Sequence, residues 1–264
     1  MTDATGPETG QAPNDDSPRG SAPIDRSAAS SAHGLETAQR PVRRPPTRVL
    51  LVDDHRAFSE ALAMAISSHP DLACVGTPAT IRDCLMFVRY TGPDVVLLDV
   101  RLPDGDGIDA IAKILALDPG ARIVVMTGYT DVDVIARAAS LGASGFLPKE
   151  SPVSAVIAAI RGVAGGEMLI DRATLAALVG SRRRAVLEPR EMDGVAGSLT
   201  ARELDVLNLM GEGLDPHAIA KMLVISLHTC RGYEKSIMAK LDAHSQLQAV
   251  VVAARRGLIG GLGG

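Results

Sequence analysis

Short apolar runs alternate with helix-length segments over about 120 residues, and this alternation constrains the fold more than any other feature. The runs are RVLLV (48–52), LACVG (72–76), DVVLL (94–98), RIVVMT (122–127) and GFLP (145–148). Unbroken runs of this kind are typical of strands buried on both faces of a sheet. The segments of helical length between and after them are 57–68, 80–90, 108–117, 131–141 and 152–164. The pattern predicts an α/β domain with a doubly wound, five-stranded parallel sheet.

The chain on either side of these units changes character. Residues 1–46 are rich in Pro, Gly, Ser, Ala and Asp, a composition that favours disorder because it buries little apolar surface. Residues 166–198 contain a run of three arginines together with prolines and glycines, which indicates a linker that includes a helix near 171–180. We therefore place the α/β domain at 47–165 and a second domain at 199–260.

Helix-start signals define the second domain. Thr200 is followed by Glu203 in the spacing of a capping box, and Asp215 precedes a proline at the first position of the next helix. Ser226 caps a third helix, 227–241, and a fourth follows at about 245–256. The spacing predicts a small all-α domain.

Bulk properties limit the class of protein. The formal net charge is −4, so the chain does not have the strong positive charge of many nucleic-acid binders. No apolar run reaches the roughly 18 residues of a membrane span. The three cysteines form no CxxC pair, which favours reduced thiols. We expect a soluble, cytoplasmic protein with no membrane partner.

Chemistry-bearing residues follow several of the predicted strands. Asp53 and Asp54 end the first strand, Asp99 ends the third, Thr127 ends the fourth and Lys149 follows the fifth. In the strand order 2-1-3-4-5 the first and third strands are neighbours, so the three carboxylates converge at the carboxyl edge of the sheet. Mg²⁺ relieves the repulsion between carboxylates and accepts a phosphoryl oxygen. The pattern predicts a phosphoryl site with an aspartate nucleophile.

Each of these residues alone has a simpler explanation. An aspartate after a strand is most often a turn or helix cap, and a lysine there is usually solvated. Their joint occurrence at successive strand ends favours the functional interpretation. Aspartate-nucleophile phosphatases are an alternative, but they place a second aspartate two residues after the nucleophile, where this chain has Arg101.

Residues 48–165 resemble a response-regulator receiver domain, through the DD of LLVDDH, the D..LPDGDG segment, MTG and FLPK. The resemblance implies that Asp99 accepts a phosphoryl group from a sensor histidine kinase. It also implies a Mg²⁺ site formed by Asp53, Asp54, Asp99 and the backbone carbonyl of Arg101.

The same resemblance assigns the residues that respond to phosphorylation. Thr127 and Phe146 match the switch pair, and Lys149 matches the lysine that contacts the phosphoryl group. We expect slow self-dephosphorylation and no enzyme activity on outside substrates.

Residues 199–260 resemble the helix-turn-helix module of the NarL/FixJ (LuxR-type) regulators, through LTARELDVL and AIAKMLVISLHTCRGYEKSIMAKL. The resemblance implies binding to double-stranded promoter DNA as a homodimer and control of transcription. The predicted DNA contacts on the third helix are His228, Thr229, Arg231, Tyr233 and Lys235. The fourth helix has the apolar face for dimerisation.

Glu234 departs from the pattern of this helix. Cys230, Ile237 and Leu241 form an inward stripe that requires an apolar residue at position 234. A carboxylate there has to reach solvent, find a cation such as Lys240, or take up a proton. Glu234 and the small net positive charge of the helical domain leave a second hypothesis open. In this hypothesis the helical domain is a dimerisation or interaction module with weak or no DNA binding.

Overall fold

The computed structural model describes residues 45–128, 132–180 and 199–259. Most of the predicted disordered tail and the arginine run of the predicted linker lie outside these residues. The described residues of both predicted domains belong to one compact unit.

Five parallel strands form the central sheet in the order β2-β1-β3-β6-β7. They are β1 (Thr47–Val52), β2 (Leu72–Gly76), β3 (Val95–Asp99), β6 (Arg122–Thr127) and β7 (Gly145–Pro148). This order confirms the predicted 2-1-3-4-5 arrangement. Two short strands, β4 (Arg101–Leu102) and β5 (Gly105–Asp106), pair as an antiparallel hairpin directly after β3.

Helices cover both faces of the sheet. They are α1 (Arg56–Ser67), α2 (Ile81–Thr91), α3 (Gly107–Leu117), α4 (Val132–Ser140) and α5 (Val153–Ala164). Alternate residues of β1 enter opposite cores: Leu50 packs with α2 and α3, whereas Leu51 packs with α1 and α5. The central strands are therefore apolar at consecutive positions because both faces are buried.

The C-terminal module consists of α7 (Ala201–Gly211), α8 (Pro216–Leu223), α9 (Leu227–Leu241) and α10 (Gln246–Arg255). The capping box between Thr200 and Glu203 is present, and Asp215 and Ser226 cap α8 and α9. The capping signals thus identify the helix starts correctly.

The first part of the predicted linker is integrated into the fold. Leu169 forms a parallel bridge with Gly145, and the Phe146 amide donates a 2.7 Å hydrogen bond to the Leu169 carbonyl. A sixth helix, α6 (Arg172–Gly180), buries Leu175 and Leu178 in the core that α7 and α10 share. This segment therefore contacts the edge of the sheet and the helical module at once.

Within the parts of the chain that are described, none of the helices has the length and apolar character needed to cross a bilayer.

Candidate functional site

Strand pairing brings the predicted acidic residues together. Val52 of β1 lies opposite Leu98 of β3, so the residues that follow them, Asp53 and Asp99, lie side by side at the carboxyl edge. Both are almost fully buried, whereas Asp54 is exposed at the mouth of the site. Buried carboxylates need compensating charge or hydrogen bonds.

Lys149 supplies part of that charge. Its ammonium group lies 2.5 Å from Asp99 Oδ2 and 2.8 Å from Asp53 Oδ2. Burial on its own would lower the pKa of Lys149, but hydrogen bonds to Asp53 and Asp99 outweigh it and raise the pKa. The lysine therefore stays charged and stabilises negative charge at Asp99.

His55 joins the same cluster, although the sequence analysis assigned it no role. Its Nδ1 lies 3.0 Å from Asp53 Oδ1 and 2.9 Å from Asp54 Oδ1. One donor atom from each of Asp53, Asp54, His55 and Asp99 lies within 4.8 Å of the others. A mostly oxygen donor set at this spacing fits a single hard divalent cation.

The remaining predicted residues border the acidic cluster. Thr127 is buried at the end of β6, and its carbonyl accepts a hydrogen bond from the Lys149 amide. The Arg101 amide lies 3.3 Å from Asp99 Oδ1. An open cleft of about 590 Å³ is lined by Asp54, His55, Asp99, Val100, Arg101, Thr127, Gly128, Lys149 and Glu150. A small anionic group can therefore reach Asp99 from solvent.

Phe146 lies near the start of β7, away from its carboxyl end, and is half-buried. It packs against the sheet core formed with α2 and α3 and also against the core of the helical module. The predicted switch aromatic thus borders both the sheet core and the cluster that α4 shares with the helical module.

The outer face of α9 holds most of the predicted DNA contacts. His228, Thr229, Arg231 and Lys235 are exposed, while Tyr233 is half-buried against the module core. Arg231 and Lys235 lie four residues apart and share one face of the helix. The structure brings these two cations together on an accessible surface.

The two buried glutamates of the module differ in their partners. Glu203 accepts hydrogen bonds from Lys240 and Ser236. Burial on its own would raise the pKa of Glu203, but these bonds and those from Thr200 lower it to about 2. Lys240 is therefore engaged with Glu203.

Among the described residues, Glu234 has no such ammonium partner. Its side chain is 4% exposed, and burial raises its pKa to about 7, against the opposing influence of Arg231, Cys230, Gln246 and Arg122. Arg122 belongs to the sheet domain, so Glu234 lies where α9 approaches that domain. Cys230, Ile237 and Leu241 are buried as predicted, which confirms the inward stripe.

The helical module contacts the sheet domain mainly through α10 and α4. Ser245 donates a 2.7 Å hydrogen bond to the Ala143 carbonyl, and the Gln248 amide donates a 2.9 Å bond to the Ser140 carbonyl. Ile135 and Ala139 of α4 are buried in the module's own core cluster. The apolar face of α10 is therefore covered within the chain.

Comparison with known proteins agrees with this arrangement. Residues 49–161 match the family model of the response regulator receiver domain, and residues 197–253 match that of bacterial regulatory proteins of the luxR family. The chain belongs to the response regulators that combine a receiver domain with a LuxR-type DNA-binding domain. These domains are those of a regulator rather than of a classical enzyme.

Two curated relatives and one solved structure illustrate the likeness. The DNA-binding transcriptional activator DevR/DosR of Mycobacterium tuberculosis is 33% identical over 78% of this chain and 93% of its own. The nitrate/nitrite response regulator protein NarL of Escherichia coli K12 is 30% identical over 78% of this chain and 94% of its own. The crystal structure of response regulator ChrA, from a heme-sensing two-component system, covers 82% of this chain and 100% of its own, with 28% identity and a TM-score of 0.42.

Proposed function

We propose that Asp99 accepts a phosphoryl group from a phosphohistidine of a sensor kinase. The observation that carries this proposal is the placement of Asp99, nearly buried at a strand end between Asp53 and the Lys149 ammonium. The Asp99 carboxylate oxygen attacks phosphorus and the histidine nitrogen leaves, which forms an acyl phosphate. Lys149 stabilises charge on the transferring group.

We assign the cation site to Asp53, Asp54 and Asp99, with the Arg101 backbone carbonyl as a further ligand. Mg²⁺ bound there would offset the charge of the carboxylates and of the phosphoryl oxygens. Thr127 and Phe146 serve as the switch pair, because they lie on the neighbouring strands β6 and β7, whose carboxyl ends reach the site. The acyl phosphate hydrolyses slowly, so the protein resets itself without acting on other substrates.

Phosphorylation can be tested with acetyl phosphate and Mg²⁺, followed by intact mass measurement. The wild-type chain should gain one phosphate and Asp99→Asn should gain none. Asp71→Asn is the matched control, because Asp71 lies on the surface in an ion pair with Arg161. Equal labelling of the Asp99→Asn variant would refute the assignment.

We further propose that the α4–α10 interface carries the signal to DNA binding. Ile135 and Ala139 of α4 are buried in the same core as α10, so a rearrangement of α4 changes the surface on which α10 rests. Release of α10 would expose the apolar face that a second copy can cover. The phosphorylated chain would then bind promoter DNA as a homodimer, with Arg231 and Lys235 facing the duplex.

Weakening this interface should imitate phosphorylation. Gln248→Ala removes two side-chain hydrogen bonds: the one that Gln248 donates to the Ser140 carbonyl of the receiver domain, and the one that it accepts from the His244 amide. We expect tighter binding to duplex DNA and more dimer in sedimentation experiments without phosphodonor. Gln246→Ala is not a suitable control because Gln246 contacts Glu234, so Asn208→Ala on α7 is used instead. Unchanged dimerisation and DNA affinity in Gln248→Ala would contradict the proposed route.

A further inference from the structure

His55 is the one nitrogen donor in an otherwise carboxylate cluster among the described residues. It lies three residues after the end of β1 and immediately before α1, and the His55 amide donates a 2.9 Å hydrogen bond to Asp53 Oδ1. That bond fixes the backbone of His55 against a carboxylate of the candidate cation site. The backbone position of His55 is therefore fixed next to the carboxylates, and the imidazole is not carried by an unconstrained surface loop.

The ring itself faces the same carboxylates. Its Nδ1 lies about as close to Asp53 Oδ1 as to Asp54 Oδ1, at 3.0 Å and 2.9 Å. The side chain is otherwise 69% exposed, so its solvent-facing position leaves it room to adjust around an ion. Nδ1 is therefore already in contact with two of the carboxylates proposed to hold the cation.

We propose that His55 is a metal-selectivity residue whose imidazole nitrogen joins the carboxylates around the cation. This inference rests on the proposed function, since it assumes that the acidic cluster holds the ion. Mg²⁺ prefers oxygen donors and keeps its waters, so a nitrogen adds little to its binding. First-row transition ions bind a site that includes a nitrogen donor more strongly than Mg²⁺ does, with Mn²⁺ at the weak end of the series and Co²⁺ above it. His55 therefore shifts the preference of the site from Mg²⁺ toward transition-metal ions.

Direct binding measurements test the inference without reference to phosphorylation. Mn²⁺ and Mg²⁺ are titrated separately into the full chain, into His55→Ala and into His55→Asn. We expect a roughly tenfold loss of Mn²⁺ affinity in both variants and a change in Mg²⁺ affinity of less than about twofold. Electron spin echo spectroscopy of the Mn²⁺-loaded wild type should show coupling to a nitrogen nucleus that both variants lack.

Two controls separate the possible failures. His217→Ala removes an exposed histidine on α8 and should leave both affinities unchanged. Asp54→Ala should weaken the binding of both Mn²⁺ and Mg²⁺. If the wild type and Asp54→Ala bind the ions alike, or the wild type binds neither, the cation site and the inference fail together. If Asp54→Ala weakens binding but His55→Ala keeps the Mn²⁺ to Mg²⁺ ratio and no nitrogen coupling is seen, the inference alone is overturned.

Discussion

Glu234 should make the stability of the protein depend on pH, and Glu234→Gln should remove that dependence. The carboxyl is buried and its pKa is raised from 4.5 to about 7. The folded chain therefore holds the proton more tightly than the unfolded chain does. Below pH 4.5 both states are protonated and Glu234 costs nothing. As pH rises toward 7 the unfolded state ionises first, so stability falls, and the loss is complete above the raised pKa.

The size of the loss follows from the two pKa values. They differ by about 2.5, from 4.5 to about 7, and one pH unit corresponds to about 1.4 kcal/mol. Glu234 thus costs up to about 3 kcal/mol of unfolding free energy at pH 8, an upper bound because solvent screening reduces it. Glutamine keeps the volume and can still contact Gln246, but it carries no charge.

Urea unfolding of the full chain, followed by circular dichroism at pH 5 and pH 8, measures the effect. Glu234→Gln should gain stability relative to the wild type at pH 8 and much less at pH 5. Glu234→Val should also raise the midpoint at pH 8, since it completes the inward stripe. Glu60→Gln, an exposed position on α1, is the control. The same difference between wild type and Glu234→Gln at both pH values would refute this account of the buried carboxyl.

Three further substitutions test the sites. Asp54→Ala should weaken Mg²⁺ binding and slow phosphorylation in a metal titration, because it removes a ligand from a hard-cation site. Arg231→Ala should cost about 1–3 kcal/mol of DNA binding and relax sequence preference in footprints, whereas Lys235→Ala should weaken all sequences alike and flatten the salt dependence. Gly107→Ala would place Cβ 2.0 Å from the Asp99 carbonyl oxygen, so we expect a loss of about 1–3 kcal/mol in thermal unfolding together with poorer phosphorylation.

Much of the receiver domain could be predicted because its signals are local. Continuous apolar runs mark strands buried on both faces, and each run ends within one or two residues of the observed strand end. Because parallel strands all end at the same edge of the sheet, the residues that end or follow neighbouring strands lie close together. Asp53, Asp99 and Lys149 become neighbours in this way. The helix caps of the second domain are local in the same way.

The environments of His55 and Glu234 could not be predicted by the same reasoning. His55 is exposed and breaks no pattern, so only the side-chain geometry shows that it faces two carboxylates. The anomaly at Glu234 was visible, but its outcome depends on partners distant in sequence. Lys240 donates its hydrogen bond to Glu203 and not to Glu234, and Arg122 of the receiver domain lies near Glu234. Composition likewise gave no sign that residues 167–180 pack against both domains.

The contrast between α9 and α10 indicates which step of DNA binding is regulated. Arg231 and Lys235 are exposed in the compact chain, so the face proposed to read DNA is already accessible. By contrast, seven of the ten residues of α10 are buried, and its contacts include α4 of the receiver domain. A single module makes few phosphate contacts. Pairing two modules doubles these contacts, which raises the affinity for DNA and steepens its salt dependence. Phosphorylation would therefore act by permitting two modules to pair on DNA, and the contacts that each module makes with its half-site would stay the same.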